Sequence, residues 1–261
     1  MIRYDDKSRQ LQKNLSLEKL RQIGEDMRAK GHLSLTIDMD RLEKKDLSFL
    51  EHFQHLNRLI IRGGTQSQVK KIILVTGIKS LCLIGVKLND YEFLKHFKNL
   101  EVLDIRGGGV KNYSALGEIN NLKAILLMDL RALKEIDFLS NLENLQYIRL
   151  DGCSNVEAIP SLKLLNRLKR VVIENMMRLN DICGVSEAQN IQELIVLSLN
   201  SNLKADNFIC FLNHKTLRNI LPGIAPKGSK ESIKVDLLLE GRRMLNSDYV
   251  GGRFEYFEIK N

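Results

Sequence analysis

The chain has 261 residues, of which 44% are hydrophobic and 28% charged, an ordinary globular balance that excludes intrinsic disorder. Three prolines, no tryptophan and no Pro-rich or Ser/Gly-rich stretch leave nothing to serve as a hinge. The net charge is +8, but its longest runs are pairs such as Lys44-Lys45, Lys70-Lys71 and Arg242-Arg243, so it reads as a solvated surface with a mild basic excess.

The first residues, Met1 to Asp6, are polar and show no apolar core of a signal peptide. No apolar stretch approaches the roughly 18 residues of a membrane span. The four cysteines (Cys82, Cys153, Cys183 and Cys210) stand far apart without a CxxC pair. They read as small buried hydrophobes in a reducing compartment, and a cytoplasmic location is expected. Ser16 is placed to cap a helix running to about Lys30 and ended by Gly31. Leu17, Leu20, Ile23 and Met27 form its apolar stripe. A degenerate first strand, Leu33 to Ile37, follows.

From residue 56 onward apolar triads recur as L-x-x-L-x-L. They are Leu56/Leu59/Ile61, Ile78/Leu81/Leu83, Leu100/Leu103/Ile105, Leu122/Ile125/Leu127, Leu145/Ile148/Leu150, Leu168/Val171/Ile173 and Ile191/Leu194/Val196, at spacings of 22, 22, 22, 23, 23 and 23 residues. A second ladder runs in phase. Six residues before each triad stand Leu50, Ile72, Leu94, Leu116, Leu139, Leu162 and Val185, and three before it Phe53, Val75, Phe97, Ile119, Leu142, Leu165 and Ala188. The alternation that ends each triad makes a short strand with one face inward. The spacing of three suits a short helical or 3-10 turn on the opposite side. One such coil cannot bury its own apolar face, whereas stacked coils can, each buried Leu or Ile contributing roughly 1.5–3 kcal/mol.

This pattern resembles the leucine-rich-repeat family, in its 22-residue subclass of internalin-like and phosphatase-regulator-like proteins. The subclass tail L-x-x-L-x-N-L appears as Leu116 to Leu122 and Leu139 to Leu145, and Asn99 and Asn190 hold the matching place before Leu100 and Ile191. The resemblance covers about residues 32–221. It implies an α/β solenoid: a curved right-handed coil with a parallel β-sheet on the concave face, short helices and 3-10 turns on the convex face, and a cap at each end. The sequence departs from the family three residues after each triad, where Asn or Cys is usual. Gly64, Val86, Gly108, Leu130, Cys153, Met176 and Leu199 stand there. Only Cys153 fits, so the turns must satisfy their backbone groups otherwise.

Beyond Ile191 the spacing lengthens to 26 residues, to Leu217 and Ile220, and Pro222, Pro226 and Gly228 break the pattern. Two strand-like runs remain, Ile233–Leu239 and Phe254–Ile259. The organisation expected is a helical cap over 1–31, repeats over 32–221 and a C-terminal β cap over 222–261.

Motifs for chemistry are missing. The histidines form no zinc pattern, and His52 and His55 fall on a convex turn. Arg106-Gly107-Gly108-Gly109 lacks the features of a phosphate-binding loop, and Arg62-Gly63-Gly64 repeats it two coils earlier, so these glycines serve the turn leaving the strand. No Ser/His/Asp grouping emerges. A non-enzymatic chain without cofactor or metal is expected.

Strand residues between the ladder positions face outward on the concave side. The surface expected there has an apolar centre of Ile84, Leu126 and Met128. Around it stand Arg58, Arg62, Asp104, Arg106, Tyr147, Arg149, Asp151, Arg170 and Glu174. Apolar centre, Arg/Tyr anchors and charged rim are the composition of protein interfaces. A competing reading is that these charges pair across strands and only keep the sheet soluble. Nucleic acid favours an unbroken basic stripe with stacking aromatics, and Asp104, Asp151 and Glu174 speak against one here. The function expected is a protein-binding module, a monomer by default, suited to a bacterial inhibitor, immunity protein or adaptor. The alternative is nucleic-acid association through the basic charge.

Overall fold

A computed structural model describes residues 8–11, 15–42, 46–110, 112–239 and 243–244. Its strands are β1 (Ser8–Leu11), β2 (Ser34–Asp38), β3 (Arg58–Arg62), β4 (Ser80–Ile84), β5 (Val102–Arg106), β6 (Ala124–Met128), β7 (Tyr147–Asp151), β8 (Arg170–Glu174), β9 (Glu193–Leu197), β10 (Asn219–Gly223) and β11 (Arg243–Met244). They form one sheet in chain order, every pair parallel. Equivalent residues lie side by side, as Leu59, Leu81, Leu103, Ile125, Ile148, Val171 and Leu194 do. No member of the seven triads is more than 2% exposed, and the second ladder is buried with them. The result is one elongated interior.

The far side of the coils carries 3-10 turns over Ser48–Phe53, Lys70–Leu74, Glu92–His96, Ser114–Glu118, Asp137–Asn141, Cys183–Glu187 and Ala205–Phe211, with a short helix α1 preceding them at Leu17–Ala29 and a single turn, α2, at Gln66–Val69. The coil between β7 and β8 has no such turn. Pro160 disfavours a helical conformation for the residue before it, and the flanking amides of Ile159 and Leu162 donate sideways to Asp181 and Gly184 of the next coil.

Helix α1 begins where Ser16 accepts from the Lys19 amide at 3.2 Å. Its buried face is Leu20, Ile23, Gly24 and Met27, and Leu17, expected in that stripe, is 60% exposed. The helix lies close against the turn at residues 48–53: a Cβ at Gly24 would meet the His52 carbonyl oxygen at 2.9 Å.

A left-handed residue replaces the missing asparagines of the strand-end turn. The residue after each strand takes a left-handed backbone at Gly63, Gly85, Gly107, Asp129, Gly152 and Asn175, residue types that tolerate it best. Its amide donates to the next coil, as in Gly107 to Met128 at 2.8 Å and Asp129 to Asp151 at 2.8 Å. At the opposite turn the asparagines before the triads bridge coils. The side-chain amides of Asn121, Asn144 and Asn190 donate to the carbonyls of Lys98, Asn120 and Asn166 at 2.6, 2.8 and 2.9 Å. Cys153 Sγ points to the Leu127 carbonyl at 3.5 Å, and burial pushes its thiol up to about 11.

Two expectations are corrected. Ile233–Leu239, read as a strand, lies in helix α3 (Lys230–Leu238) and its cap. Ser229 caps it by accepting from the Ser232 amide, and the buried pair Val235 and Leu239 has helical rather than strand spacing. Ile233 and Leu237, which gave the alternation, are exposed. The second run, Phe254–Ile259, lies outside the described residues. The reading of four isolated cysteines also fails for two of them. Cys183 and Cys210 sit on successive convex turns with Cα atoms 5.7 Å apart and form a disulfide, while Cys82 and Cys153 are free and buried.

Candidate functional site

The ladder residues of β2–β10 point inward, so positions one, three and five of each strand define the sheet's free face, the surface expected to be concave. Strand register then assigns every candidate residue a place. Arg58, Tyr147 and Arg170 share the first column. Asp104, Leu126 and Arg149 share the middle one. Arg62, Ile84, Arg106, Met128, Asp151 and Glu174 share the third.

Their exposure differs from expectation. Arg62 is exposed, and Ile84, Arg106, Met128, Arg149 and Asp151 are half-buried. Arg58, Asp104, Leu126, Tyr147, Arg170 and Glu174 are buried. The apolar centre is therefore not an open patch. Leu126, 3% exposed, packs with Val102, Ala124, Tyr147, Val172 and Ile195 in an apolar cluster separate from the interior, and Leu197 and Leu221 lie against it. Adjacent strands are about 4.8 Å apart, close enough for first-column and middle-column side chains to cover one another. Val102, Ala124, Val172 and Ile195 are its unforeseen members. Their signal was the shared column, visible once the register is fixed.

The charges on this face are organised in pairs. Arg106 clasps Asp104 through Nε and Nη2, at 2.9 and 2.6 Å. The two residues stand on one strand with one residue between them, so both point the same way. Arg149 bridges two strands: its Nη2 reaches Asp151 Oδ2 at 3.2 Å and touches Glu174 on β8. Asn175 donates to the other Asp151 oxygen at 2.8 Å. On β8 and β9, Arg170 Nε lies 3.4 Å from Glu193 Oε2, and Asn219 donates to Glu193 Oε1 at 3.0 Å. Burial pushes the Glu174 carboxyl above its ordinary value even though Arg149 beside it pulls the other way, and burial raises the Tyr147 phenol as well. Over β2–β10 the free face carries Arg58, Arg62, Arg106, Arg149 and Arg170 against Asp38, Asp104, Asp151, Glu174 and Glu193. Its formal charge is zero, so the basic excess of the chain resides elsewhere.

This arrangement can hold a partner by shape, apolar contact and paired charge. Among the described residues no three His, Cys, Asp or Glu side chains converge to hold a metal ion, and no helix is long and apolar enough to cross a membrane.

Parallel strands in chain order, a leucine ladder and 3-10 turns on the far side define a leucine-rich-repeat solenoid. Solved structures share that fold. A leucine-rich-repeat protein of Leptospira interrogans superposes with a TM-score of 0.62 at 18% identity, over 90% of this chain and 58% of that one. The chain thus spans little more than half the length of that protein. The leucine-rich repeat domain of the type III effector XopL gives 0.53 at 15% identity, over 78% of this chain and 82% of that domain. TLR13, in its complex with ssRNA13, gives 0.54 at 13% identity, over 82% of this chain and 35% of TLR13. At these identities the likeness concerns the fold. No protein-family model matches the sequence, and no curated protein does.

Proposed function

We propose that this chain is a non-enzymatic binding scaffold that engages a protein partner on the free face of its sheet. The observation that carries the reading is the accessible part of the free face, where Arg62 is exposed and Ile84, Arg106, Met128 and Arg149 are half-buried above the packed cluster around Leu126 and Tyr147. Arginines standing over a well-packed base are among the positions where protein interfaces concentrate their affinity. A scaffold also needs no titratable group free to do chemistry. We read the repeats as the short 22-residue subclass, residues 1–31 and 222–261 as the two caps, and the biological role as that of a bacterial inhibitor, immunity protein or adaptor. A cytoplasmic location is part of the reading and requires the Cys183–Cys210 pair to be reduced there, which thiol labelling of the protein taken directly from cells tests.

The partner experiment compares quantitative co-purification from native lysate by three proteins. The native chain and the convex-side variant Lys163→Glu should retain the same stoichiometric protein. The variant Arg62→Glu with Met128→Glu, which reverses one charge and introduces another at two accessible points of the free face, should lose it. Retention by all three sinks the assignment of this face.

A second reading, nucleic-acid association, is favoured by the net charge of +8 and by the fold shared with TLR13, whose structure is a complex with ssRNA13. The neutral free face does not support it.

A further inference from the structure

Each coil enters its strand through one residue whose backbone is tied to its counterparts on both sides. The amides of Lys79, Glu101, Lys123, Gln146, Lys169, Gln192 and Arg218 each donate to the carbonyl of the same residue in the preceding coil, beginning with Asn57, at 2.7 to 3.0 Å. Their side chains therefore form a register-locked row along the rim at the N-terminal ends of the strands. Cations occupy every second place: Lys79, Lys123, Lys169 and Arg218. With strands about 4.8 Å apart, neighbouring cations stand about 10 Å from one another and the row is about 29 Å long.

The places between cancel only part of this charge. Glu101 alone offsets one of them, by pairing with Lys123 at 3.0 Å, while Gln146 and Gln192 are uncharged amides able to donate or accept. Arg167 and Lys215, both exposed, thicken the row toward its C-terminal half, Lys98 adds to its middle, and Glu143 is the one further carboxylate in these entry segments. The apolar members of the same segments, Leu56 through Leu217, are buried in the interior. The rim thus has repeated charge and hydrogen-bonding amides without an exposed aromatic or aliphatic anchor. A protein partner needs such an anchor at its hot spot. A polymer of regularly repeated negative charge can be held without one, by displacing condensed counterions, at the cost of the base stacking that aromatic side chains would add.

We infer that this rim is a binding strip for the phosphate backbone of a single-stranded nucleic acid, read by charge and not by base. A single strand can adjust its phosphates to cations fixed one coil pair apart. A duplex is stiff over this length and resists such adjustment. The strip is separate from the free face of the sheet, so the two binding surfaces stand or fall independently.

The test is fluorescence anisotropy with a labelled thymidine oligonucleotide of about 20 residues, over a salt series from about 50 to 200 mM. Engagement of four phosphates gives a slope of log affinity against log salt near −3, at about −0.7 for each phosphate on a single strand. The variant Lys169→Gln with Arg218→Gln should bring the slope to about half that, and the fourfold variant with Lys79→Gln and Lys123→Gln should abolish binding. Lys163→Gln on the convex side should change nothing. Circular dichroism of the variants checks that the solenoid is intact, as expected for surface substitutions. The inference is overturned by no binding at about 50 mM salt, by an unchanged slope in the folded fourfold variant, or by tighter binding of poly-glutamate or of a duplex than of the single strand.

Discussion

The guanidinium of Arg149 on β7 lies against the carboxylate of Glu174 on β8 and at the same time bonds Asp151 on its own strand. One cation thus serves two carboxylates, and the side chains of all three are at most 17% exposed. Removing it leaves two buried negative charges facing each other. Breaking a buried ion pair from one side typically costs 3–5 kcal/mol. Because this cluster keeps some contact with water, Arg149→Met should lower unfolding stability by about 3 kcal/mol, measured by urea denaturation at pH 7. Adding Asp151→Asn and Glu174→Gln should restore most of it. A loss below about 1 kcal/mol would mean that the cluster is solvated like an ordinary surface pair.

Glu174 also fixes the sign of a pH effect. Burial holds its carboxyl above the ordinary 4.5, so the folded chain keeps this proton more tightly than the unfolded chain does. The associated stability is fully present below about 4.5 and is lost as pH rises through the raised value. Glu174→Gln cannot ionise and should not share that loss. The stability of the variant relative to the native chain should therefore increase from pH 4 to 7. A flat difference would mean that folding leaves the Glu174 carboxyl unshifted, and a falling one that its environment favours the ionised form.

The disulfide joins coils rather than neighbours in sequence. Cys183 and Cys210 are 27 residues apart, and closing a loop of that size restricts the unfolded chain by about 3.5 kcal/mol in the entropic model. Replacing both with serine, or adding reductant to the native chain, should lower the melting temperature by several degrees. The reductant should have no effect on the double serine variant. Equal response of both proteins would show that the effect has another origin.

The repeat was legible in the sequence because burial imposes a strict spacing: Leu59, Leu81 and Leu103 must stack, and their intervals say so. Columns of the free face were legible for the same reason. Exposure was not, because it depends on what neighbouring strands bring across: Leu126 looks open from its own strand and is covered by side chains from β5 and β7. The disulfide was hidden because the coil lengthens between Cys183 and Cys210, so their separation of 27 matches no repeat interval. The run Ile233–Leu239 misled because alternation of Ile233, Val235, Leu237 and Leu239 also contains a helical pair, Val235 and Leu239, and the turn Ala205–Phe211 against which α3 packs decides between them. Lys234 to Asp206 at 2.8 Å and Glu231 to the Ala205 amide hold that choice in place. The rim of cations was not legible because single lysines and an arginine 44 to 49 residues apart form no run in sequence. Strand pairing alone brings them into line.

The strand-end turns give a last prediction, which separates two costs that usually come together. Gly85 and Gly108 both hold left-handed backbones, with φ of +63° and +73°. A Cβ on Gly85 would meet nothing within 4 Å, whereas one on Gly108 would stand 2.5 Å from the Val86 carbonyl oxygen. Gly85→Ala therefore bears only the conformational penalty, about 1–2 kcal/mol. Gly108→Ala bears it as well, and must also push apart two coils whose backbones are held by the sheet. Its loss should exceed that of Gly85→Ala by at least about 1 kcal/mol, within the range of overpacked sites. Denaturant midpoints of the two variants, measured side by side, decide the matter. If they coincide, the Gly108 turn has slack, and the close stacking of coils at residues 86 and 108 does not constrain which residue can stand there.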